Sequence, residues 1–143
     1  MPDDLAITDF PLRARDKLRY GDTDRQGHIN NAVFSTFLET GRVELIYDRA
    51  RGLVEPGTAF VIARLEMDFR SELLWPGEVE IGTRVASVGR SSVRLEQAIF
   101  QGERCVASGI TVMVQMDETT RKSRPFSDAV REQLLVLTPP NAG

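Results

Sequence analysis

NAVFSTFLETGRVELIYDRAR, from Asn31 to Arg51, is the stretch that decides the fold. Phe34, Phe37, Leu38, Gly41 and Leu45 recur at helical spacing and share one face. Val33, Val43, Ile46 and Tyr47 widen that face well beyond a stripe. A helix that is apolar over most of its girth is buried on several sides. Gly52 supplies a stop. Gly41 costs the helix about 1 kcal/mol against alanine. It is either tolerated or demanded by a neighbouring backbone that comes close.

Outward from this helix the period changes. Upstream, Leu12 to Tyr20 alternates, with Leu12, Ala14, Leu18 and Tyr20 on one side and Arg13, Arg15, Lys17 and Arg19 on the other. Asp16 interrupts the apolar side. Downstream only strands follow. Thr58 to Arg70 places Val61, Ala63, Leu65, Met67 and Phe69 on one face; Val79, Ile81, Thr83 and Val85 form the next strand. Val88 to Ser91 reads as a tight turn, then Val93, Leu95 and Ile99 share a face. Gly102-Glu103 turns the chain into a last strand from Arg104 to Met116. After a basic loop, Arg121 to Pro125, Ser127 caps a short helix reaching Val136. Met1–Pro11 and Thr138–Gly143 read as loose ends. The order predicts one α+β domain, core about 12–136, in which a curved antiparallel sheet wraps a central helix.

Composition narrows the functional classes. The 143 residues suit one domain, and 41% hydrophobic with 27% charged residues excludes a disordered chain. A net charge of −3 argues against nucleic acid as the partner, because phosphate backbones need a basic surface. No apolar run approaches a membrane span, and the acidic start shows no signal peptide, so a cytoplasmic location is expected. One cysteine, Cys105, rules out an internal disulfide or a multi-cysteine zinc site. Any chemistry must run on carboxylates, one imidazole (His28), hydroxyls and backbone amides.

Those groups concentrate in Tyr20-Gly21-Asp22-Thr23-Asp24-Arg25-Gln26-Gly27-His28-Ile29-Asn30-Asn31, directly before the helix. Each has a structural reading: Asn30 as helix cap, Gly21 and Gly27 as turn residues, Asp22 as a loop former. A calcium loop fails at Gln26 and at Val33, which stands where a glutamate is needed. Asp22, Asp24 and His28 do not have a recognised metal spacing. No metal and no cofactor are expected.

The segment resembles the active-site loop of the hot-dog-fold acyl-CoA thioesterases of the 4-hydroxybenzoyl-CoA thioesterase type, Tyr/Phe-x-Asp-Thr-Asp-x-x-Gly-His-x-Asn-Asn. Every fixed position is present. Glu39-Thr40-Gly41-Arg42, Leu65–Phe69 with Trp75–Glu78, Gly89–Ser92 and Arg121–Pro125 follow in the family's order. The resemblance implies a hot-dog fold and hydrolysis of an acyl-CoA thioester to acid and CoA. It implies Asp24 as nucleophile or general base, and the amide at Asn31, on the positive helix end, as oxyanion donor. His28 either assists or packs beneath the loop, and Glu39 is the reserve carboxylate. Tyr20 and Gly27 of the loop, with Arg90, Ser91, Ser92, Arg121, Lys122 and Arg124, are the implied substrate-binding candidates. The family pairs domains edge to edge, so a homodimer or homotetramer is implied. Two other readings stay open: a hot-dog hydratase or dehydratase, and a non-catalytic acyl-CoA-binding module.

Overall fold

The computed structural model describes residues 1–139; the expectation for Pro140 and Gly143 at the C-terminal end lies outside them. The elements are β1 (Leu12–Lys17), α1 (Asn31–Ile46), β2 (Thr58–Phe69), β3 (Glu78–Val88), β4 (Ser92–Gln101), β5 (Arg104–Asp117) and α2 (Asp128–Leu135). The five strands make one antiparallel sheet in the order β1-β3-β4-β5-β2. The long helix α1 lies against β1, β3 and β4. This is the hot-dog arrangement.

Four local expectations are corrected. First, α1 ends at Ile46, five residues before Arg51. Asp48 Oδ1 accepts the Ala50 amide at 3.0 Å, and that turn replaces the helical ladder before Gly52 enters the left-handed region at φ 63°. Second, β1 stops at Lys17, and Tyr20 opens a 3-10 turn with its ring exposed rather than inward. Asp16, which broke the apolar alternation, accepts the Thr40 hydroxyl of α1 at 2.8 Å. Third, the alternation read along β2 crosses a bulge. Ile62 pairs with Met113 and Arg64 with Val112, which leaves Ala63 as the extra residue. The bulge reverses side-chain parity, so Phe60 and Ile62 join Leu65, Met67 and Phe69 on the inner face while Val61 turns outward. Fourth, the start of the chain is anchored rather than loose, because Leu5 and Phe10 are buried with Ala98 and Phe100 of β4.

The core has two apolar halves. Phe34, Phe37 and Leu38 of α1 meet Leu18, Val79, Ile81, Ile99 and Ala107 at one end. Leu45 and Ile46 meet Val85, Leu95, Met113, Phe126 and Leu134 at the other. Between them lies a buried polar layer. Gln97 Nε2 donates to the Leu38 carbonyl and to Thr83 Oγ1, both at 3.0 Å, and Arg42 Nη1 donates to Gln97 Oε1 and Thr111 Oγ1, both at 3.4 Å.

Gly41 sits where α1 presses on this layer. A Cβ there would lie 2.8 Å from Gln97 Nε2, 2.9 Å from Ile81 Cγ2 and 3.0 Å from Thr83 Oγ1. The glycine is therefore demanded by close approach, of sheet side chains rather than of backbone. Gly41→Ala is expected to destabilise the fold by about 1–3 kcal/mol in urea denaturation despite alanine's better helix propensity.

Candidate active site

Most fixed positions of the Tyr20–Asn31 motif help to hold one loop against the start of α1. Asp22 is 7% exposed and spans its own turn: Oδ2 accepts the Arg19 amide at 3.1 Å, and Oδ1 takes the Arg19 guanidinium at 3.1 Å. The Asp22 carbonyl accepts the Asn30 amide at 2.9 Å. Asp22 therefore shapes the loop. Asn30 caps α1, with its side chain accepting from the Ala32 amide at 3.0 Å. Asn31 is the first helical residue, and its amide has no acceptor within the helix. Its side chain is exposed.

Asp24 is exposed and asymmetrically held. Oδ1 accepts the Gln26 amide at 2.8 Å and the His28 amide at 3.2 Å. Among the described residues Oδ2 takes no protein donor. The Asp24 amide in turn donates to the His28 carbonyl at 2.8 Å. Gly27, at φ 80°, makes this closure possible because a side chain there would be strained. The loop thus leaves one carboxylate oxygen without a protein donor in the segment that leads into the unpaired amides of α1.

The His28 ring makes no hydrogen bond to Asp24 among the described residues. Its Nε2 lies 3.7 Å from Glu72 Oε1. Its backbone pairs with Leu74, and the next amide, Ile29, donates to the Leu73 carbonyl at 2.9 Å. The loop is stitched to the β2–β3 connection, a partnership with no local signal in the motif. Tyr20, 73% exposed, meets Trp75 edge-on at 5.3 Å, a second link between the same segments.

The remaining candidates fall elsewhere. Glu39 is exposed and lies eight residues along α1 from Asn31, about 12 Å at the helical rise. It lines a cavity of about 180 Å³ with Arg42, Phe60, Ile62 and Met113. Arg42, a cation directly after Gly41 inside an apolar stretch, was not singled out from the sequence and proves to be part of the buried polar layer. It is 4% exposed, and burial pulls its pKa below the usual guanidinium range, with Glu39 partly opposing.

Arg90, Ser91, Ser92, Arg121, Lys122 and Arg124 do come together, but at the far end of α1. The Arg90 carbonyl accepts the Phe126 amide at 2.9 Å, and the Ser91 carbonyl accepts the Gln115 amide at 2.8 Å. Arg124 Nη1 lies 3.6 Å from Asp117 Oδ2. The backbone amides of Thr120 and Thr119 hold the Asp117 carboxyl below the usual carboxylate range, with Arg124 adding to the effect. Phe126 belongs to the apolar half around Leu45. The basic segment and the Asp24 loop therefore lie at opposite ends of α1, a helix of 16 residues and about 24 Å in length. Burial raises the Cys105 pKa, with Arg70 partly offsetting it, so the thiol is no ready nucleophile. No group of three or more His, Cys, Asp or Glu side chains among the described residues is arranged to hold a metal. No described helix is long and apolar enough to cross a membrane.

Comparison with known proteins places the chain. The model of the thioesterase-like superfamily matches residues 18–134, and the chain belongs to that superfamily. A thioesterase from Thermus thermophilus, solved with coenzyme A and Zn, is 32% identical with a TM-score of 0.76, covering 90% of this chain and 95% of that one. The PA5185 protein of Pseudomonas aeruginosa PAO1 shares the fold at a TM-score of 0.83 and 24% identity, covering 94% and 96%. The uncharacterized protein YsmA of Bacillus subtilis is 27% identical over 130 residues, 90% of this chain and 88% of its own.

Because backbone bonds rather than the imidazole tie down the loop, His28→Asn is expected to cost less than about 1 kcal/mol of stability by urea denaturation. A loss of several kcal/mol would show the ring itself to be structural.

Proposed function

We propose that this chain is an acyl-CoA thioesterase of the 4-hydroxybenzoyl-CoA thioesterase type, acting in the cytoplasm without metal or cofactor. The observation that carries the reading is the Asp24 carboxylate, pinned through Oδ1 to the Gln26 and His28 amides beside the helix start. Thioester hydrolysis needs two things. A base or nucleophile must reach the carbonyl carbon, and a donor must meet the charge that develops on its oxygen. Asp24 Oδ2 supplies the first. The amide of Asn31 at the positive end of α1 supplies the second. In the general-base form Asp24 takes a proton from water as the oxygen attacks. Collapse of the tetrahedral intermediate then expels the CoA thiolate, which is protonated on release. In the nucleophile form Asp24 attacks the carbonyl carbon first and displaces the CoA thiolate, and water then cleaves the resulting anhydride, releasing the acid and regenerating the Asp24 carboxylate.

CoA as carrier is supported by the coenzyme-A complex of the Thermus thermophilus relative. CoA phosphates need cations, and the cationic candidates lie at the opposite end of α1 from Asp24. We therefore read the working unit as at least two copies, with Arg121, Lys122, Arg124 and Arg90 of one copy serving the loop of the other. Ser91 and Ser92 would line the approach of the pantetheine arm, and Tyr20 and Gly27 the loop side.

Thiol release from a panel of aromatic, short, branched and long acyl-CoAs tests the reading. Hydrolysis of at least one class is expected, and Asp24→Asn should lower its kcat by about 10²- to 10⁴-fold with acyl-CoA binding retained. An Asp24→Asn protein that still turns over normally would transfer the role to Glu39. Tight binding with no release from any substrate would make the chain a binding module instead.

A further inference from the structure

The helix α1 covers only part of the inner face of the sheet. It lies against β1, β3 and β4. On β2 the inner residues Ile62, Leu65 and Phe69 stay 47%, 39% and 52% exposed. An apolar trough therefore runs between α1 and β2. At one end Phe69 meets Phe34 at 5.2 Å, near the start of α1, which the Asn30 cap joins to the Asp24 loop. At the other end Ile62 and Phe60 bring the trough to the cavity of about 180 Å³ that Glu39 and Arg42 also line.

Arg42 is the anomaly in that cavity. The residue is buried, yet no carboxylate oxygen lies within 4.0 Å of its guanidinium among the described residues. Nη1 alone is engaged, by the neutral acceptors Gln97 Oε1 and Thr111 Oγ1 at 3.4 Å. Nε and Nη2 have no acceptor among the described residues, and neither is sealed in the core. These two nitrogens form one edge of the guanidinium, the edge that holds a carboxylate through two parallel hydrogen bonds. A buried cation that neutral groups leave uncompensated calls for an anion.

We propose that the cavity receives the far end of the acyl group and that this end is a carboxylate, so that the substrates are CoA thioesters of dicarboxylic acids, gripped by Arg42 and cleaved at the thioester. This rests on the thioesterase reading and adds the class of acyl group. Glu39 shares the cavity, but it is exposed, and water screens its charge more than that of buried Arg42. Length is constrained as well. Eleven residues of α1 separate Asn31 from Arg42, about 16 Å of helix, and the Arg42 side chain leans back toward the helix start. An extended chain advances about 1.2 Å per bond. With a hydrogen bond at each end, an acyl group of about eight to ten carbons fits that span.

The test compares chains of matched length. Thiol release gives kcat/KM for octanoyl-CoA and decanoyl-CoA, and for the carboxylate-ended suberyl-CoA and sebacyl-CoA. The carboxylate-ended chains are expected to be preferred by about 10- to 100-fold, the range of a charge-assisted hydrogen bond. Arg42→Met should erase the preference by slowing those chains alone. Arg42 also serves the polar layer, so two further variants carry the test if Arg42→Met does not fold. Val43→Trp, on the exposed rim of the cavity, should fill it and erase the preference likewise. Arg42→Lys keeps the charge without the fork and should retain part of the preference. Equal rates for the two kinds of chain in the wild type, or a preference that survives Val43→Trp, overturn the assignment and leave the thioesterase reading standing. A preference for hydroxyl-ended over carboxylate-ended chains gives the cavity to a neutral group on Glu39 and overturns it too. Thiol release from no acyl-CoA at all overturns both.

Discussion

The contact of α1 with the sheet at Gly41 governs the rest of the molecule. With no Cβ at that position, Gln97, Ile81 and Thr83 reach the helix backbone. Gln97 can then donate to the Leu38 carbonyl at 3.0 Å. That depth of seating sets how close α1 lies to the sheet, and the Asn30 cap at its start joins it to the loop that carries Asp24. A methyl group at Gly41 would press on Gln97, Ile81 and Thr83, and any outward shift of the helix would also move Asn31, the proposed oxyanion donor. Catalytic geometry tolerates little of this, since about 1 Å can cost a hundredfold in rate.

The loop makes its geometry mostly from backbone. Asp24 Oδ1 is consumed by two amides, Asp22 by the turn it closes, Asn30 by the helix cap, and Gly27 supplies a conformation that other residues resist. Little of the motif is left over to touch a substrate directly. A dense polar motif of this sort is mainly scaffolding around one carboxylate oxygen and one helix end. Its crowding of specific residue types reflects the number of separate constraints on a short segment.

Much of this was legible in the sequence. Alternation and helical spacing found all seven elements, because each buried face repeats at the period of its structure. Ser127 and Asn30 were readable as caps because their side chains have few better uses before a helix. The β2 bulge was not readable: Val61, Ala63, Leu65, Met67 and Phe69 alternate perfectly in sequence, and only the pairing with β5 shows that Ala63 breaks parity. The surroundings of His28 were also hidden, since Glu72 and Leu74 are remote along the chain and local pattern carries no record of tertiary partners. The loop motif located Asp24 and Asn31 together. It could not reveal that the basic candidates sit at the other end of the helix, because sequence order does not measure distance along a fold.

The polar layer across the middle of the core bears on motion as well as on packing. Arg42, Gln97, Thr83 and Thr111 interrupt what would otherwise be one continuous apolar interior. The two halves share fewer dispersion contacts than a seamless core would have, and the long 3.4 Å bonds of Arg42 couple them weakly. Partial opening follows such seams. Phe34 and Ile29, next to the loop, belong to one packing unit, and Leu45 and Phe126 belong to the other. A rearrangement of the loop at one end of the helix would therefore leave the packing of the basic segment at the other end intact.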